Sequence, residues 1–398
     1  MLRIERKEGW VKILFLVLIL ILPMPRIFGQ QKETDIHLGK SIPFHSNVLN
    51  RDMNISLYLP SDYGAGATRY PVLYDPNDFL FKYDVGTVEL LSVMNAIPRT
   101  IVVGTPGIQN GYVPTPYEQR GSEPAAADLT LNFYREELIP FIEKTYRTAN
   151  YRILYAHSVG GLLTMYTLFT QPDLFSAYIA SSPWFQTNNQ YWLKNIDRMF
   201  RAESLNNRTL FMTVGKDETD LTRNTYIELE KWMNNKDLKG LRWKSVWFEG
   251  VDHGSMVGKS LYDGLLYLFD GWKIPDSIMI SGDIALIEEH VKQIAKKFEG
   301  LDQPAFPENR LNALGYRFIN EGSYDKAVDI LAYNIRLYPD SPNTYDSLGE
   351  AYLTKGDREN AIKYYRLAVE KNRGNTDYEK RILQNSRGKL KELGIDIN

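Results

Sequence analysis

Apolar and polar positions alternate near the start of the chain: Ile55, Leu57 and Leu59 interleave with Ser56, Tyr58 and Pro60. That period of two marks a strand with one buried face, within a stretch, 31–60, that reads as β structure. Ser61 to Gly66 is a turn cluster. Short apolar runs follow at Pro71–Tyr74, Thr100–Gly104, Ile153–Tyr155, Leu210–Val214 and Ser245–Phe248. Runs of this length, apolar throughout, suit strands covered on both faces. Between them Leu131, Tyr134, Leu138, Phe141 and Ile142 recur at helical spacing, which predicts a helix over 131–146 with a kink at Pro140. A second helix is predicted over 162–170. Strand and helix alternate throughout, so residues 31–273 are expected to form one α/β domain around a mostly parallel sheet.

After Trp272 the pattern turns polar, charged and helical in period, with Ile274-Pro275-Asp276 as the expected boundary. Leu314-Gly315 recurs as Leu348-Gly349, Phe318 as Tyr352, Gly322 as Gly356 and Ala327 as Ala361. This spacing resembles the tetratricopeptide repeat, in which small residues let two helices pack closely. Units are expected at 309–341 and 343–376, with capping helices near 283–299 and 378–393. Residues 274–398 thus form a small all-α domain, expected to meet a protein or peptide partner or to pack on the catalytic part.

The chain has 398 residues, 43% of them hydrophobic and 24% charged, as in globular proteins with a sizeable core. Its net charge of −2 argues against nucleic-acid binding. At the N-terminus, Arg3, Arg6, Lys7 and Lys12 precede the apolar run Ile13–Leu22. The run is too short to span a bilayer, so residues 1–30 read as a signal peptide of a periplasmic or secreted protein, touching membrane only if left uncleaved. There is no Cys, which excludes disulfides and lipidation at an N-terminal Cys. With no Cys and no His pair at ligand spacing, no metal or other cofactor is expected.

The sharpest chemical feature is Tyr155-Ala156-His157-Ser158-Val159-Gly160-Gly161, set between a predicted strand and a predicted helix. Strand, x-x-Ser-x-Gly and helix together are the context of a nucleophile turn. The turn is tight, so the positions two before and two after the serine must be small; here they are Ala156 and Gly160. It lifts the Ser158 hydroxyl off the sheet and aims the Val159 amide at a developing oxyanion. A serine needs a base, and the chain offers five His. His37 and His45 precede the core strands, His290 lies past the domain boundary, and His157 is expected to point away from its neighbour Ser158. His253 remains, in a Gly-flanked loop after a buried strand. The acid should lie between serine and histidine in chain order. Asp217, Glu218 and Asp220 crowd the loop after Leu210–Val214, and spacing alone does not choose among them.

The run from Phe133 to Phe185, with Tyr70–Asp75 ahead of it and Phe211–Glu218 and Gly250–Ser255 behind, resembles the esterase D-like branch of the α/β hydrolases. That branch holds enterochelin esterases, feruloyl esterases and S-formylglutathione hydrolases. The resemblance implies an α/β-hydrolase fold, Ser158 as nucleophile, His253 as base and Glu218 as acid, with Asp217 as the rival acid. Relatives commonly have Asp-Gly after the strand Pro71–Tyr74; here the sequence is Asp75-Pro76-Asn77-Asp78. Pro76 has no N–H, so the second oxyanion donor is expected at Asn77 or Asp78, with Val159 as the first.

The substrate pocket is expected from Pro106–Arg120, Trp184-Phe185, Tyr191-Trp192 and Met256. The expected reaction is hydrolysis of a small-molecule carboxylic ester, of siderophore, feruloyl or acylated-sugar type. The alternatives are acyl transfer on the same residues, or an inactive esterase-like protein whose repeats recruit a partner.

Overall fold

A computed structural model describes residues 38–64, 68–108, 111–114, 126–200, 205–298, 300–301 and 308–396. The predicted signal segment lies outside them. Among the described residues the elements run β1 (Lys40–Ser46), β2 (Arg51–Tyr58), β3 (Tyr70–Asp75), α1 (Phe81–Val93) and β4 (Ile101–Gly104). Next come α2 (Ala126–Phe133), α3 (Ile139–Thr145), β5 (Thr148–His157), α4 (Val159–Thr170) and β6 (Ala177–Ser181). Then follow β7 (Arg208–Gly215), α5 (Asp220–Asn235), β8 (Leu241–Phe248) and α6 (Val257–Leu268).

The eight strands form one sheet in the order β1-β2-β4-β3-β5-β6-β7-β8. The first two are antiparallel additions, and every pair from β4 to β8 is parallel. Buried strands explain the continuous apolar runs, because alternate residues serve two cores. Val72, Tyr74, Leu154 and Tyr178 fill one face. Leu73, Ile153, Tyr155 and Ile179 fill the other, against α1 and α6. β6 carries no separate signal in the sequence beyond its apolar character.

The predicted helix at 131–146 starts earlier and is not uniform. A π turn, Tyr134–Leu138, joins α2 to α3. Pro140 cannot donate to the helical ladder, and its ring would clash with the carbonyl four residues back. The wider turn sits immediately ahead of it, where the chain can absorb that misfit.

Beyond Trp272 come α7 (Asp276–Ser281), α8 (Ile284–Lys297), α9 (Glu308–Asn320), α10 (Tyr324–Leu337), α11 (Pro342–Lys355), α12 (Arg358–Lys371) and α13 (Asp377–Glu392). The pairs α9–α10 and α11–α12 are the repeat units. A Cβ at Gly315 would stand 2.5 Å from Leu331 Cγ, and one at Gly349 would stand 3.0 Å from Tyr365 Cδ1. Only glycine lets those helices approach so closely. Gly322 and Gly356, one repeat apart, turn the chain at φ +73° and +89°, a region costly for other residues.

Helices stand on both sides of the expected boundary at 273/274, and packing runs across it. Trp272 lies 5.8 Å ring to ring from Phe298 and 6.3 Å from Phe269. Arg317 on α9 donates to the Ile280 carbonyl at 2.7 Å. The core behind the sheet therefore continues through Met279 and Ile287 into Leu311, Ile330 and Leu348. Residues 38–398 form one compact unit.

Candidate active site

Four neighbouring parallel strands, β5 to β8, end at one edge of the sheet, and each is followed by a residue of the same hydrogen-bonded chain. Ser158 follows β5, Ser182 follows β6, Glu218 lies past β7 and His253 past β8. The carboxyl edge of such a sheet is where open α/β folds place their ligands.

Ser158 sits at φ +59°, ψ −121° between strand and helix, a strained backbone for a residue with a Cβ. The strain is held by bonds on both sides. Its N–H donates to the Ser181 carbonyl at 2.9 Å, and its carbonyl accepts from the Trp184 N–H at 2.9 Å. The tightness of the turn is measurable: a Cβ at Gly160 would stand 2.8 Å from Ala156 Cβ. Val159 is the first residue of α4, so its N–H has no partner within the helix and lies beside the serine.

His253 Nε2 lies 2.9 Å from Ser158 Oγ, and its Nδ1 lies 2.9 Å from Glu218 Oε2. An ionised carboxylate only accepts, so Nδ1 carries the proton and Nε2 presents a lone pair to the serine hydroxyl. Glu218 is 5% exposed and takes two further bonds at Oε1, from Ser182 Oγ at 2.6 Å and the Gly215 N–H at 3.2 Å. Burial alone would raise its pKa. The bonds from His253, Ser182 and Gly215 outweigh that and hold it below the ordinary carboxylate range. Asp217, the rival acid, is exposed, and its N–H bonds the Val251 carbonyl at 3.2 Å. The structure thus brings Glu218 to the imidazole and leaves Asp217 outside. Glu218→Gln is expected to lower kcat about 10²-fold or more, while Asp217→Asn stays within about threefold of wild type, because only one of them orients the ring. Steady-state turnover of the two variants decides it; equal losses would return Asp217 to the site.

His157, expected to point away from Ser158, bonds Ser181 Oγ through Nδ1 at 3.1 Å, and its ring centroid stands 4.5 Å from that of His253. Burial, then the adjacent His253 ring, push its pKa down to about 4, so it stays neutral beside the imidazole. The two amides expected to supply the second oxyanion donor are both bonded within the protein. The Asp78 N–H donates to the Thr105 carbonyl at 3.0 Å, and the Asn77 N–H to Asp75 Oδ1 at 2.9 Å, so both amides are engaged. Asp78 therefore does not fit the role assigned to it, since its N–H helps to join β4 to the turn after β3.

The pocket expectation is corrected in part. Trp184 stands edge-on to His253 at 5.2 Å. Phe185 and Trp192 instead stack on each other at 5.4 Å and are buried with Phe169 in the core, and Met256 is fully buried. Of the 106–120 loop, the described Tyr112 donates its hydroxyl to the Pro76 carbonyl. Residues 109–110 and 115–120 lie outside the described set. Ser182, which sequence reasoning missed, joins the chain at φ +41° and sits 2.9 Å from His253 Nδ1 as well. The Ser181-Ser182 pair at the end of β6 is its trace in the sequence.

Comparison with known proteins agrees with this architecture. Residues 46–250 match the family described as Putative esterase, and residues 342–375 match the tetratricopeptide repeat. A Bacillus subtilis (strain 168) protein, Uncharacterized protein YjcH, is 26% identical over 209 residues, 51% of this chain and 83% of that one. The ferri-bacillibactin esterase BesA of the same organism is 27% identical over 158 residues, 38% of this chain and 55% of that one. The chain thus spans little more than half the length of that esterase. Among solved structures, an IroE-like serine hydrolase from Shewanella oneidensis superposes with a TM-score of 0.63 at 22% identity. That match covers 75% of this chain and 99% of the other, and it supports the shared fold. With more than half of its length matched, the chain belongs to the Putative esterase family of carboxylic ester hydrolases.

Proposed function

We propose that this enzyme cleaves its ester through an acyl-enzyme on Ser158. The observation that supports the reading is the unbroken relay Ser158 Oγ–His253–Glu218 with the serine on a strained turn. His253 Nε2 takes the hydroxyl proton as Oγ attacks the ester carbonyl. Glu218 holds the ring and balances the imidazolium that forms. The Val159 N–H faces the oxyanion. As the tetrahedral intermediate collapses, the C–O bond to the alcohol breaks and His253 returns its proton to that leaving oxygen. Water then enters, gives a proton to His253, and attacks the acyl carbonyl; collapse releases the acid and restores Ser158.

For substrate we propose a small-molecule ester of siderophore type. The similarity to BesA favours that class, and the Trp184 edge beside His253 offers a face for an aromatic acyl group. The test is fluorophosphonate labelling located by mass spectrometry, followed by a panel of p-nitrophenyl acetate, a catecholate siderophore, a feruloyl ester and an acetylated sugar. Label on Ser158 with fastest turnover of the siderophore is the expected result. A folded protein that neither labels nor turns over any ester would overturn the enzyme reading in favour of an inactive binding protein. Faster release to an added alcohol than to water would make it an acyltransferase.

A further inference from the structure

The acyl-enzyme reading leaves two buried carboxyls unused. Asp75 ends β3 and Asp84 lies on α1; they are 1% and 0% exposed. Among the described residues no third group donates to Asp75 Oδ2 or to either Asp84 oxygen. The Asn77 N–H reaches the pair at Asp75 Oδ1. Each carboxyl acts on the other, by charge and by a hydrogen bond between the two side chains. Two carboxylates so placed at this depth cannot both stay charged, whereas one proton between them satisfies both.

The place is close to the chemistry. A Cβ at Gly160, two residues after the nucleophile, would stand 4.0 Å from Pro76 Cγ. The Pro76–Asn77 peptide beside that turn is gripped at both ends. Tyr112 holds its carbonyl, and Asp75 holds its N–H. Asp75 and an oxyanion on the substrate would thus compete for one amide. A protonated carboxyl is the weaker acceptor, and a charged one roughly doubles the strength of such a bond.

Resting on the Ser158 reading, we propose that Asp75 and Asp84 share one proton, and that this proton keeps Asp75 a weak acceptor so that the Asn77 N–H is released to the oxyanion during turnover. Burial, then the charge and hydrogen bond of Asp84, raise the Asp75 carboxyl well above its ordinary value; burial likewise raises Asp84, to about 7, against an opposing hydrogen bond from Asp75. Other groups facing the pair are the Asp78 carboxyl and the phenols of Tyr112, Tyr134 and Tyr155. Burial holds those phenols protonated well past neutrality. The sign follows: raising the pH removes the shared proton, ionises Asp75, tightens its grip on the amide and slows turnover.

The test uses the full chain. Asp84→Asn removes the competing charge and supplies a permanent N–H donor, so Asp75 ionises at neutral pH. We expect kcat to fall at least tenfold, as befits loss of one oxyanion donor, with KM within about threefold. Adding Asp75→Asn abolishes that charge, and the double variant is expected to recover most of kcat and to lose the alkaline fall of the wild type. A merely structural pair would give a double variant as slow as Asp84→Asn or slower, which overturns the proposal. Infrared spectra of the unaltered protein provide a second readout. A protonated carboxyl band that persists above neutral pH and disappears together with kcat supports the pair, and its absence at neutral pH overturns it. If Ser158 labels and turns over esters while these outcomes fail, the pair alone is refuted. If Ser158 neither labels nor turns over, both readings fall.

Discussion

Ser158→Ala is expected to reduce kcat on p-nitrophenyl acetate by at least ~10³-fold, with KM and thermal stability close to wild type. The size follows from what the hydroxyl does. On the proposed mechanism no acyl-enzyme forms without it, and what survives is only the assistance the remaining site lends to direct attack by water. The small effect on stability follows from the backbone. Alanine and serine carry the same Cβ, so φ +59° is equally strained in both, and the Ser181 and Trp184 bonds to the residue's backbone are untouched. A drop in kcat can therefore be read as chemistry. Wild-type turnover in a folded Ser158→Ala protein would remove Ser158 from the mechanism.

His253→Ala should cost about as much, and the double variant Ser158→Ala, His253→Ala should be no slower than either single one. Residues that act as one unit are lost together: once the base is gone the hydroxyl is a poor nucleophile, and once the hydroxyl is gone the base has nothing to deprotonate. His253 reaches the serine at 2.9 Å with Trp184 on its edge and His157 against its ring, so its position is packed as well as hydrogen bonded. Losses that multiply in the double variant would mean that the two residues serve separate steps. Single-turnover kinetics with an activated ester would show which.

Much of the fold was legible in the chain because buried parallel strands leave apolar runs, and the tight turn at Ser158 leaves small residues at Ala156 and Gly160. The repeat was legible for a similar reason, since Gly315 and Gly349 mark sites where a side chain cannot fit. The acid was named as Glu218 by the resemblance, whereas spacing alone left Asp217 beside it. Asp217 and Glu218 are adjacent in one loop, and which of them turns inward depends on the backbone bonds of Lys216 to Phe248 and of Asp217 to Val251. Ser182 was hidden because its role arises from a turn after a strand that carries no signal of its own. Phe185 and Trp192 misled for a different reason: an aromatic segment that stacks in a core and one that lines a pocket have the same composition. Asp75 and Asp84 are nine positions apart on a strand and a helix, and only burial turns that spacing into a pair.

The seam around Trp272 has a consequence for how this chain can vary in length. A helical array grows by stacking units on a free end, and here the end nearest the sheet is already covered by aromatic packing through Phe269 and Phe298. New units can join only at the far end, where α13 turns Ile382, Ser386 and Leu390 inward and shows Lys380, Arg381, Arg387 and Lys391 to solvent. The charged outer face of that helix suits contact with water. Insertion before α13 would lengthen the arm without moving Ser158, whereas insertion at residue 274 would pry open the core beneath the active site.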